Sequence, residues 1–60
     1  SIMEKDKAVV DFLLSECDRQ VSEFTGKECV YAQKALELST LINYDIGIYE
    51  SRFRLARSLV

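Results

Sequence analysis

Leu38-Ser39-Thr40-Leu41-Ile42-Asn43-Tyr44-Asp45-Ile46-Gly47-Ile48 decides the fold of this chain, because it either continues a long helix or ends one. Apolar side chains run through it without a phase change. Tyr31, Ala35, Leu38, Ile42, Ile46, Tyr49, Phe53, Ala56 and Val60 are spaced 4, 3, 4, 4, 3, 4, 3 and 4. That averages about 3.6 residues per step, the period of a straight α-helix. Leu41, Ile48, Leu55 and Leu59 flank the stripe. Against continuity stand Asn43-Tyr44-Asp45, where Asp45 suits the cap of a new helix, and Gly47, which costs roughly 1 kcal/mol against Ala inside a helix.

Upstream, the apolar positions Val10, Leu13, Cys17, Val21 and Phe24 give a first helix over about 2–23, with Ser1 and Glu4 at capping-box spacing. Thr25-Gly26-Lys27-Glu28 has the same spacing, which starts a second helix near residue 26 with Thr25 as its N-cap and leaves a turn of 24–25. So short a joint favours an antiparallel hairpin. The favoured architecture is therefore all-α: an antiparallel helical hairpin with a long second helix over about 26–60, assembling into a dimeric four-helix bundle. The alternative is a three-helix bundle broken near Asp45, within 43–47. A continuous second helix would be roughly 52 Å long against about 35 Å for the first. Its last third would have no cover within the chain.

Composition narrows the function. The 60 residues carry 8 Lys+Arg, 10 Asp+Glu, 2 Cys and no His, Trp or Pro. Two cysteines cannot build the bridge framework of a small secreted scaffold. Without His, a structural zinc site of the usual kind and any Ser-His or Cys-His nucleophile pair are excluded. The reading is non-enzymatic, with no catalytic, metal or cofactor-binding residues. A domain this small is marginal alone, so association is the expected source of further stability. No apolar run reaches the roughly 18 residues of a membrane span. Ser1-Ile2-Met3-Glu4-Lys5 lacks the apolar core of a signal peptide, and the expected location is cytoplasmic. The apolar pattern is still running at Leu59-Val60, and an excised domain is one reading of that ending.

Three features compete as chemistry. Cys17 and Cys29 differ in height by roughly 7 Å in the hairpin, too much for an easy disulfide, and read as small hydrophobes. Asp45 reads either as a register-setting polar residue beside the stripe or as an N-cap. Charge is uneven: residues 1–50 hold 5 basic and 10 acidic side chains, whereas 51–60 hold Arg52, Arg54 and Arg57 and no acid. These arginines are candidate nucleic-acid contacts, but helix C-terminal cations also complement the macrodipole.

Phe24-Thr25-Gly26 at a turn, followed by Leu36-Glu37 and Leu41-Ile42-Asn43, resembles the helical-hairpin phosphatases that act on sporulation response regulators. The family's Ser-Gln-x-Leu-Asp signature is replaced here by Gln33-Lys34-Ala35-Leu36-Glu37, and no function is carried over. Hairpin co-chaperones of secretion systems are similar in architecture only.

The expected function is a protein–protein interaction or homo-oligomerisation module of a regulatory, secretion or plasmid/phage protein. It would contact itself or another protein through Ile42, Asp45, Ile46, Tyr49, Arg52, Phe53, Ala56, Leu59 and Val60. The alternatives are a small dimeric DNA-binding regulator using its C-terminal arginines and a phosphatase-like regulator of a phospho-protein.

Overall fold

The computed structural model describes residues 2–58, and the side chains from residue 3. The Ser1 cap and the Leu59 and Val60 contacts expected above lie outside the described residues. Three helices make up the fold: α1 (Ile2–Ser22), α2 (Glu28–Leu41) and α3 (Asp45–Ser58). The first helix falls where the sequence puts it. The long second helix does not form, and the chain breaks at 42–44. The molecule measures 35 × 18 × 13 Å, too short for the roughly 52 Å rod of a continuous helix.

The break is a helix C-cap built on Asn43, whose φ is 55°. The Asn43 amide donates to Thr40 O at 3.2 Å and the Tyr44 amide to Ser39 O at 2.8 Å. This is the Schellman pattern, and asparagine is among the few side chains that enter the left-handed region at low cost. Tyr44 then packs on the core. Its hydroxyl donates to Asp11 Oδ1 at 3.0 Å, pinning the corner to α1. α3 begins at Asp45, whose acid suits the positive end of the helix dipole.

The same pattern ends α1. The Phe24 and Thr25 amides donate to Val21 O and Gln20 O, with Phe24 at φ 55°. Gly26 follows at φ 76°, and α2 starts only at Glu28. The capping box expected at Thr25 is absent for this reason. Lys27 is the N-cap and makes no side-chain cap bond. The Thr25 hydroxyl donates instead to Gln20 Oε1 at 2.5 Å and accepts the Lys27 amide at 3.2 Å.

α2 lies between the other two helices and packs extensively on both, whereas α1 and α3 touch sparsely. Val10, Leu14 and Ala35 form the core, with Leu13, Leu38, Ile42 and Tyr44 packed around it. The inward residues of α2 are Ala32, Ala35 and Ser39, and those of α3 are Gly47 and Ser51. Small side chains let the helices approach closely. A Cβ on Gly47 would lie 2.8 Å from Ser39 Cβ and 2.8 Å from Val10 Cγ1. The buried hydroxyls bond their own helices: Ser51 Oγ to Gly47 O at 2.7 Å, and Ser39 Oγ to Leu36 O at 3.2 Å. Neither needs a partner across the seam. Ser39 meets Gly47 at one end and Cys29 meets Ser58 at the other, so α3 runs back along α2.

Two substitutions test this packing. Gly47→Ala gains helix propensity of up to about 1 kcal/mol, yet overpacking of this kind costs about 1–3 kcal/mol. Net destabilisation in urea unfolding is expected, and a more stable variant would contradict the close approach. Phe24 is 94 % exposed in a left-handed conformation. Phe24→Gly should therefore raise stability by about 0.5–1 kcal/mol in the same assay, and a loss would show that the ring contributes contacts.

Candidate functional site

The outer side of α3 is the candidate site. At about 100° per residue, Ile46, Tyr49, Phe53 and Ala56 share one face, opposite the buried Gly47 and Ser51. Ile46 is 65 %, Tyr49 66 % and Phe53 50 % exposed. The Tyr49 and Phe53 rings stack with centroids 6.5 Å apart. Single exposed apolar residues are ordinary, whereas several on one helix face, two of them stacked aromatics, make that face a candidate contact surface. Asp45 and Arg52 are exposed beside the row, and neither makes an ion pair with a described residue.

Of the contact residues expected from sequence, the structure therefore brings Asp45, Ile46, Tyr49, Arg52, Phe53 and Ala56 to one exposed surface. Ile42 is placed elsewhere: it is half-buried against the core. It is the C-cap residue of α2 and lies apart from the α3 row. The last third of the chain is also not uncovered as a whole, because its other side packs along α2.

The three arginines are not gathered into one basic surface. Arg54, with only 15 % of its side chain exposed, is held by a two-point fork on Asp18 (Nε–Oδ1 2.9 Å, Nη2–Oδ2 2.9 Å) and by Glu50 Oε1 at 2.8 Å. It ties α3 to α1. Arg57 lies 3.8 Å from Asp18 and over the Phe53 ring at 5.4 Å. A guanidinium already shared between two carboxylates has little capacity left for phosphate. Hydrogen bonding to Arg54 is the main cause that holds the Asp18 carboxyl below its usual range. Glu16 is lowered in the same way by Arg19, which also bonds Glu23. These acids are engaged in ion pairs.

A second feature was not legible from spacing. Cys17 and Val21 of α1, Glu28, Cys29 and Ala32 of α2, and Arg54, Arg57 and Ser58 of α3 line one cavity of about 300 Å³. Both cysteines line this cavity. Both thiols are free. Burial is the main cause that pushes the Cys17 thiol up. The Cys29 thiol lies 3.1 Å from Ser58 Oγ. Glu28 Oε2 is buried there with no hydrogen-bond partner among the described residues. Among the described residues, no group of three or more Cys, Asp or Glu is placed to hold a metal ion, and no helix is long and apolar enough to cross a membrane.

No protein-family model, curated protein or solved structure matches the chain. The functional reading therefore rests on its own residues.

The Asp18–Arg54 fork makes stability depend on pH. Asp18 has a folded pKa below its unfolded value of about 3.9, so its contribution is present above that value and lost as pH falls through the lower folded one. Asp18 is half-exposed, and Asp18→Asn should cost no more than about 1 kcal/mol at neutral pH. The melting-temperature gap between parent and variant should narrow as pH falls below the ordinary carboxylate range and close once Asp18 is protonated in the folded state. A gap independent of pH would contradict the assignment.

Proposed function

We propose that the chain is a non-enzymatic, self-associating protein-interaction module whose contact face is the outer side of α3. The observation that carries this reading is the row Ile46, Tyr49 and Phe53, each half or more exposed on a helix whose opposite side is already buried. Ala56 extends the row, and Asp45 and Arg52 border it. Burying a Phe side chain is worth roughly 1.5–3 kcal/mol. In a two-fold dimer each such residue counts twice. Two chains paired through α3 would bury the row from both sides, with two helices of each chain supplying the layers of a four-helix arrangement. Few titratable groups on this face need desolvation, which keeps the cost of association low.

Light scattering after size exclusion tests the reading. The expected mass is twice that of the single chain at high concentration, falling toward the single chain on dilution. Phe53→Asp should weaken association by about 100-fold, since roughly 3 kcal/mol is lost over the two copies. A single-chain mass at all concentrations, with full helicity, would overturn it.

A further inference from the structure

The margins of the α3 face carry charge in an order that selects one way of pairing. Ile46, Tyr49, Phe53 and Ala56 are spaced 3, 4 and 3, the core spacing of a short heptad seam. Asp45 and Arg52 then fall on one margin, each just before a core residue. Glu50 and Arg57 fall on the other, each just after one. Flanking charges of this kind set partner orientation.

In a parallel pair, one margin of each helix faces the opposite margin of its partner, five residues further along. Asp45 would then meet the partner's Glu50, and Arg52 the partner's Arg57. Both contacts are like-charged. In an antiparallel pair, a margin faces the same margin of its partner in reverse order. Asp45 meets the partner's Arg52 and Arg52 the partner's Asp45, both opposite in sign.

Within the chain, Glu50 and Arg57 are already engaged, with Arg54 and Asp18 respectively. Among the described residues, Asp45 and Arg52 have no intrachain ion pair. The margin left unpaired is the one that antiparallel pairing completes. Resting on the self-association reading above, we propose that the occupant of this face is a second copy of the chain. Its α3 lies antiparallel across the first, about a two-fold axis, with Asp45–Arg52 contacts made twice.

Charge reversal separates the orientations. Arg52→Glu places two acids on the margin. In the antiparallel dimer it turns both attractive contacts repulsive, and the dissociation constant should rise about tenfold at low salt. In a parallel dimer the same change would set the new acid against the partner's Arg57 and tighten association. Asp45→Lys carries the same opposite expectations. Combining the two reversals in one chain should return affinity to near the parent value, as should an equimolar mixture of the two single variants through heterodimers. Helicity by circular dichroism shows that each variant is folded, and the differences should shrink as salt is raised.

Weakening by each single reversal with recovery in the double variant supports the antiparallel pair. A dimeric protein whose affinity rises or stays level with Arg52→Glu overturns the orientation but leaves self-association standing. A parent protein that remains a single chain overturns both.

Discussion

Ser39, Gly47 and Val10 meet at the point where three helices touch, and the rest of the architecture depends on how closely they approach. Without a side chain at residue 47, the start of α3 settles against α2 and α1 together. Ser39 and Ser51 continue that contact with side chains that satisfy themselves on their own helices. A seam of small residues gains little from the hydrophobic effect per side chain, but it brings many backbone atoms into van der Waals range. It also decides orientation. Once Gly47 and Ser51 face inward, Ile46, Tyr49 and Phe53 face out.

That constraint explains what sequence reading recovers and what it misses. α1 is legible because its core positions Val10, Leu14 and Cys17 are apolar and periodic, and its end near residue 23 follows from the turn. The break between α2 and α3 is harder, because the row from Tyr31 to Ala56 keeps its period across Asn43. The row changes sides at the corner. Ala35, Leu38 and Ile42 point toward the core, whereas Ile46, Tyr49 and Phe53, in the same apparent phase, point to solvent. The inward face of α3 is written in Gly and Ser, which hydropathy treats as neutral. The available signal was Asn43, a residue that tolerates the left-handed region, followed by Tyr44 and Asp45. α2 starts at Glu28, later than the capping-box spacing predicts, for a related reason. Phe24 and Gly26 both take positive φ, which uses two further residues before the helix begins.

The candidate surface was legible in its membership more than in its cause. Sequence singled out the residues after Asp45 because an overlong helix would leave them bare. The structure leaves Ile46, Tyr49 and Phe53 bare because a shorter helix is folded back with its small side inward. Electrostatics follow the same division. Arg54 and Arg57, on the side nearer α1, are occupied with Asp18, and only Arg52 keeps an exposed guanidinium without an ion-pair partner among the described residues. Spacing alone could not sort these arginines, because their roles depend on which helix stands opposite each.

Nuclear Overhauser contacts between Ser39 and Gly47 test the central claim most directly. In the folded-back structure their protons are in van der Waals range, and cross-peaks from Gly47 to both Ser39 and the Val10 methyls are expected. In a continuous helix the two residues would stand about 12 Å apart, and no such cross-peak would appear. Unbroken sequential helical contacts through Ile42, Asn43 and Tyr44, with Gly47 silent toward Val10, would contradict the account.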